Sequence, residues 1–248
     1  MHSGKDTYTI QVCFSPISWP LYQRDDALVI VVDIFRATTT ISAALESGAK
    51  AVMPVESIDE SKEWKAKGYF TAGERNGKPL DFADTGNSPL AIQQAGITNK
   101  TIVLNTTNGT RAIQCAANGN NTVITGAFPN ISAVARFAVN TKKPVIVLCA
   151  GWKDTFSLED SVFAGAVARH ILDLDSTQFY TDCDSTMAAM ALWETAKHDL
   201  PAFLKSASHN QRLQGLGVEK DIAYALTRDV SDIVPVLEGN RLVSNINL

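Results

Sequence analysis

Residues 27–55 read ALVIVVDIFRATTTISAALESGAKAVMPV. Ala27–Val32 is a continuous apolar run, the pattern of a strand buried on both faces. Thr40–Ser47 has helical spacing, with Ile41, Ala44 and Leu45 on one side and Gly48 placed as a stop. Ala51–Val55 is apolar again and reads as a second strand. Strand, helix and strand in that order imply a right-handed crossover. The stretch therefore predicts an α/β protein whose largely parallel sheet is covered by helices.

The same unit recurs along the chain. Ser57–Lys67 reads as a helix, with Ser57 as N-cap, Glu60 three residues on and Gly68 past the end. Tyr69–Ala72 is a short strand followed by a long polar loop, GERNGKPLDFADTGNSP. Thr101–Leu104 is a strand, NTTNGT a turn and Arg111–Ala117 a helix. Val123–Thr125, GAFPN and Ile131–Val139 repeat the order, as do Val145–Leu148, CAGWKDTFSLED and Ser161–Leu172. After residue 173 the alternation weakens. Met187–Lys197 is helical, Leu204 to Leu216 is a polar helix or loop, and Asp221–Leu226 is followed by TRDVSDIVPVLEGNRLV. That last stretch reads as a closing strand pair turning at Glu238-Gly239-Asn240. No separable linker is visible, so residues 1–248 read as one unit.

Composition narrows the function. Hydrophobic residues make up 45% and charged residues 19%, an ordinary globular balance, and the net charge of −4 argues against a general nucleic-acid binder. No apolar run approaches the ~18–20 residues that span a bilayer, and MHSGKDTYTIQ has no signal-peptide core. A cytoplasmic chain without membrane contact is expected. Cys13, Cys115, Cys149 and Cys183 are scattered and read as free thiols.

The ends of the predicted strands hold the chemistry, which is where ligands bind in an open parallel sheet. The first carries Asp33, Arg36, Thr38, Thr39 and Thr40; the third carries Glu74 and Arg75, then Asn87 and Ser88. The fourth carries Thr106, Thr107, Asn108, Gly109, Thr110 and Arg111, and a later one Gly151, Lys153, Glu159 and Asp160. Hydroxyls, helix-start N–H groups and arginines suit phosphate or sulfonate oxygens. Carboxylates beside them would repel such an anion unless a hard divalent cation, most simply Mg²⁺, sat between. Each piece also has a plain structural reading, as a helix cap, a turn or a surface charge. Recurrence favours a joint site for a small anionic substrate: Arg36, Arg75, Arg111 and Lys153 all follow apolar strands.

Other phosphate chemistries do not match. The residue six after Cys149 is Thr155, so there is no Cys-x5-Arg loop, and there is no Walker-type glycine loop. Asp182-Cys-Asp184-Ser-Thr186 matches DxDx[TV] literally, but the preceding TQFYT is a poor buried strand and too little chain follows. Of His2, His170, His198 and His209, only His209 in SHNQRL is retained as an outside candidate for the site.

The motifs DIFRATTTI, AGERNGKPLDFADTGNSPL, TTNGTRAI and CAGWKDTFSLEDSVFAGA, in this order, resemble the 2-phosphosulfolactate phosphatase family of coenzyme M biosynthesis. The resemblance runs from about residue 10 to residue 243. It implies a Mg²⁺-dependent hydrolysis of 2-phospho-3-sulfolactate to 3-sulfolactate and phosphate, a fold of two similar, interwoven three-layer lobes, and a homodimer. A phosphatase for another phosphorylated hydroxy acid, or a non-catalytic binder of anionic metabolites, are the alternatives. On this reading Asp33, Glu74, Glu159 and Asp160 are catalytic, with Asp33, Glu74 and Asp160 as metal ligands. Arg36 and Thr38–Thr40 are expected to hold the phosphate and Thr106–Thr110 with Arg111 a second anionic group. Arg75, Asn87, Ser88, Gly151 and Lys153 are placed for either.

Overall fold

The computed structural model describes residues 6–245; His2 and the first residues of the N-terminal stretch lie outside them. The strands are β1 (Tyr8–Cys13), β2 (Leu28–Val32), β3 (Ala51–Val55), β4 (Phe70–Arg75), β5 (Lys78–Pro79), β6 (Thr101–Asn105), β7 (Thr122–Gly126), β8 (Val145–Cys149), β9 (Phe179–Tyr180), β10 (Val234–Glu238) and β11 (Arg241–Asn245). The helices are α1 (Trp19–Tyr22), α2 (Ala37–Glu46), α3 (Ile58–Ala66), α4 (Pro89–Gln94), α5 (Gly109–Ala117), α6 (Ile131–Thr141), α7 (Leu158–Leu174), α8 (Asp184–Ala196), α9 (Leu200–Leu204), α10 (Ser208–Leu213) and α11 (Glu219–Ala225).

All eleven strands form one sheet, ordered β5-β4-β6-β3-β11-β10-β7-β2-β8-β1-β9. β4, β6 and β3 are a parallel block, and β7, β2, β8, β1 and β9 are another. The closing hairpin β10–β11 lies between them, antiparallel to β7 on one side and to β3 on the other. The chain passes from one block to the other along α2 and returns along α5. This is the α/β class that the apolar runs predict. What the runs do not predict is that the last strand pair fills the centre of the sheet.

Alternate residues of each inner strand enter opposite cores, as the two-residue period of a strand requires. On β2, Leu28, Ile30 and Val32 pack with Phe128 of the turn before α6 and with α6, α7 and α8 through Val134, Phe163, Val167 and Trp193. Val29 and Val31 pack on the other face with Ile41 of α2 and Ile113 of α5. That second core also holds Val52, Ile102 and Leu104 of the other block, so one layer of helices serves both. Met53, Val55 and Val103 face away, beneath Trp64 of α3.

Helices α7 and α8 meet at Gly165, where an added Cβ would lie 1.9 Å from the Ala189 carbonyl oxygen. No flexible side chain can give way there, because the obstacle is backbone. Alanine has the better helix propensity by about 1 kcal/mol, but overpacking a core costs roughly 1–3 kcal/mol or more. A backbone obstacle at this distance puts the cost at the upper end, so Gly165→Ala is expected to lose about 2 kcal/mol net in urea unfolding. A variant as stable as the parent would show that the two helices slide apart freely.

Candidate active site

The turn after β2 is held by its own side chains. The Thr38 N–H and hydroxyl both donate to the Asp33 carbonyl, at 3.1 and 3.0 Å, and the Asp33 N–H donates to Thr38 Oγ1 at 3.1 Å. The Thr39 hydroxyl donates to the Ile34 carbonyl at 3.0 Å. This clamp leaves the Asp33 carboxylate at the start of α2, with Oδ1 accepting from the Ala37 N–H at 3.3 Å. Its Oδ2 faces the first residue of α5: a Cβ on Gly109 would sit 2.7 Å from it and 2.4 Å from Ala37 Cβ. Only glycine lets α5 begin this close, and the positive end of a helix then borders the carboxylate.

The second block contributes Glu74 from the end of β4. Its Oε1 accepts from the Thr107 N–H at 2.7 Å and the Thr107 hydroxyl at 2.9 Å, and its Oε2 from the Gly77 N–H at 2.6 Å. A bare Gly73 permits this approach, since a Cβ there would meet the Asn105 carbonyl at 2.6 Å. The first turn of α7 contributes Glu159 and Asp160, both almost fully buried. Asp160 accepts from the Ile34 N–H at 2.9 Å and the Gly151 N–H at 3.1 Å. Glu159 Oε1 pairs with His209 Nδ1 of α10 at 2.7 Å. Arg36, also buried, donates to Asp221 of α11 at 2.7 Å, and Ser88 donates to the other oxygen of Asp221 at 2.7 Å.

These groups surround a tight pocket. Asp33, Arg36, Glu74, Asn87, Asn108 and His209 supply its polar wall, and Phe35, Trp152, Gly77 and Leu213 complete it. Its free volume is about 10 Å³, room for one water-sized group. Gly77, Trp152, His209 and Leu213 also line an outer chamber of about 310 Å³, shared with Asn76 and Arg212. The inner carboxylates crowd one another. Burial pushes Asp33 up to about 6, with the charges of Glu74 and Glu159 adding to the rise and His209 and the Ala37 N–H opposing it. Burial raises Asp160 well above the usual range, reinforced by Glu159 and Asp33. Burial would raise Glu159 as well, but the bond to His209 and its charge outweigh it and leave that carboxyl low.

The sequence model for 2-phosphosulpholactate phosphatase matches residues 13–240. The chain belongs to that family. A relative from Caldanaerobacter subterraneus subsp. tengcongensis, named "Probable 2-phosphosulfolactate phosphatase", is 38% identical over 215 residues, covering 85% of this chain and 88% of its own. Relatives of the same name from Thermotoga petrophila and Picosynechococcus sp. are 39% and 37% identical. The second of these covers 91% of this chain and 93% of its own.

Within this 2-phosphosulfolactate phosphatase family member, the predicted residues divide. Asp33, Arg36, Glu74, Asn87 and Asn108 meet on the pocket wall. The hydroxyls of Thr38, Thr39, Thr106 and Thr110 instead serve local structure, while that of Thr107 holds Glu74. Thr106 Oγ1 accepts from the Thr110 N–H, and the Thr110 hydroxyl returns to the Thr106 carbonyl. Thr40 is buried in α2 with its hydroxyl unpartnered. Arg75 donates to the carbonyls of Glu74 and Glu56, Arg111 pairs with Asp154 on the surface, and the Lys153 ammonium lies over the Trp152 ring. Gly151, at φ +63, serves the turn that holds Asp160, and Ser88 caps α4 while bonding Asp221. Partners elsewhere, backbone carbonyls, Asp154, Asp221 and the Trp152 ring, hold most of these side chains away from the pocket.

The magnesium that the resemblance implies is tested by the donors present. Among the described residues, no three His, Cys, Asp or Glu side chains come together as a metal shell. Asp160, an expected ligand, lines neither cavity, and its two oxygens accept the Ile34 and Gly151 N–H groups. Asp33 and Glu74 remain on the wall, with buried Asn87 Oδ1 lacking any hydrogen-bond partner. Two carboxylates and an amide oxygen fit a small hard cation that keeps several waters and takes few protein ligands. His209, Asp221, Trp152 and Phe35 are the site residues beyond the predicted set.

Proposed function

We propose that this protein is a Mg²⁺-dependent phosphatase that hydrolyses 2-phospho-3-sulfolactate to 3-sulfolactate and phosphate, in the cytoplasm and within coenzyme M biosynthesis. Membership of the family and the names of its relatives support the substrate. One observation carries the cation: Asp33 and Glu74 face a pocket whose buried guanidinium, Arg36, already pairs with Asp221. A phosphate dianion entering this wall meets more negative than positive charge. Asp33, Glu74 and Asn87 would hold Mg²⁺, which when bound supplies charge stabilisation to a phosphoryl group in transfer.

The remaining work falls to the chain's own groups. Arg36 borders the inner pocket and adds a fixed positive charge beside the phosphoryl oxygens. The outer chamber has room for the rest of a three-carbon acid, with Arg212 at its wall and its guanidinium 4.2 Å above the Trp152 ring. Trp152 and Leu213 exclude bulk water at the junction, which strengthens each charge interaction inside.

Phosphate release from a panel of phosphorylated hydroxy acids, with and without Mg²⁺, tests the reading. Turnover is expected to be greatest on 2-phospho-3-sulfolactate, to fall by at least about 10²-fold in EDTA and to return with Mg²⁺. Preference for a carboxylated analogue would replace the substrate. Full activity after chelation would remove the metal.

A further inference from the structure

We infer that His209 is the proton donor to the leaving oxygen, and that Glu159 positions it. The inference rests on the phosphatase reading above. His209 lies where the inner pocket joins the outer chamber and lines both. A phosphoryl group held by the inner wall and an acid body in the chamber place the bridging oxygen at this junction. Among the described residues it is the one histidine at either cavity.

The imidazole is fixed from three sides. Nδ1 bonds Glu159 Oε1 at 2.7 Å, which leaves Nε2 as the nitrogen available to a ligand. The Trp152 ring centroid lies 5.2 Å away and that of Phe35 6.1 Å away, so the ring cannot swing freely. Glu159 is 1% exposed at the first turn of α7 and lines neither the inner pocket nor the outer chamber. It therefore acts through His209, as the carboxylate that sets the imidazole's orientation.

The step balances without a further reactant. The bond from phosphorus to the hydroxy-acid oxygen breaks with its electron pair on oxygen, and the proton on His209 Nε2 goes to that oxygen. Water supplies the new oxygen on phosphorus, and one of its protons returns to His209 Nε2 through solvent. An alkoxide is a poor leaving group, and a positioned acid is worth about 10²–10⁴-fold.

The test uses the full chain with Mg²⁺ and 2-phospho-3-sulfolactate. His209→Ala, folded by circular dichroism, is expected to lose at least 10²-fold in kcat and to regain at least tenfold with added imidazole, which the outer chamber can admit. His209→Gln, which keeps bulk at the junction, is expected to lose as much as His209→Ala and to ignore imidazole. Glu159→Gln is expected to lose roughly tenfold, and the double variant Glu159→Gln/His209→Ala to be no slower than His209→Ala. Retention of kcat within threefold in His209→Gln, or a loss in His209→Ala that imidazole leaves unchanged, overturns the proton-donor role alone. Additive losses in the double variant overturn the role of Glu159. A parent enzyme that releases no phosphate overturns the phosphatase reading as well.

Discussion

Asparagine at position 33 is expected to lower phosphosulfolactate turnover by at least about 10³-fold while making the metal-free protein more stable. Asn keeps the side chain's shape and an oxygen to accept the Ala37 N–H, but it carries no charge. Removing one electrostatic arm of a site like this costs ~10²–10³ in rate, and Asp33 is also a proposed metal holder, so the loss lies at or beyond the upper end. The stability sign follows from the folded-state acidity. Burial raises the carboxyl from 3.8 to about 6. A raised acid destabilises the fold once pH exceeds its unfolded value, and the penalty is complete above about pH 6. At pH 7 it is on the order of 2–3 kcal/mol, and Asn escapes it. Urea unfolding in EDTA at pH 7 should therefore show Asp33→Asn as the more stable protein, and the difference should shrink toward pH 4. A variant less stable than the parent at pH 7 would mean that the Asp33 charge is compensated in the fold. Near-normal kcat would take Asp33 out of the reaction.

The sequence makes the strands plain and hides what joins them. The apolar runs at β2, β3, β6, β7 and β8 appear within a residue or two of their positions, because strands buried on both faces leave no room for polar residues. The helix starts are less legible. α2 begins at Ala37, not Thr40, and α7 at Leu158, not Ser161, because neither has a side-chain cap to mark it. The capped start of α3 reads correctly, and Ser57 accepts from the Asp59 and Glu60 N–H groups. β1 is not picked out at all, and α4 begins at Pro89, where the polar loop ends, in a stretch to which the sequence pattern assigns no element. The hairpin β10–β11 is legible as a strand pair, but its place in the sheet depends on partners more than a hundred residues away.

The site is legible by half for a related reason. Asp33 and Glu74 sit at strand ends, where parallel-sheet geometry gathers chemistry. Arg75, Arg111 and Lys153 have the same signal, yet their side chains find carbonyls, Asp154 and the Trp152 ring within a few ångströms. His209 and Asp221 come from short polar helices late in the chain, where no motif distinguishes a site residue from a solvated one. His209 is retained from sequence only as an outside candidate and Asp221 not at all; their long-range partners, Glu159 and Arg36, place both.

The Arg36–Asp221 pair carries the second large effect. Both side chains are less than a tenth exposed, and Asp221 also receives the Ser88 hydroxyl. One carboxylate thus ties the turn after β2 to α4 and α11, elements drawn from three distant parts of the sequence. Replacing a buried ion pair by apolar groups can be neutral, whereas removing one partner leaves a stranded charge and costs about 3–5 kcal/mol. Asp221→Ala is therefore expected to lose that much in urea unfolding, more than Gly165→Ala. Arg36→Met/Asp221→Leu is expected to recover most of it while remaining inactive, since Arg36 also forms the pocket wall. Because Asp221→Ala frees the guanidinium beside the pocket, inorganic phosphate should stabilise it more than it stabilises the parent. A loss below about 1 kcal/mol, together with no added response to phosphate, would mean that water reaches Arg36 and that its position in the pocket does not depend on Asp221.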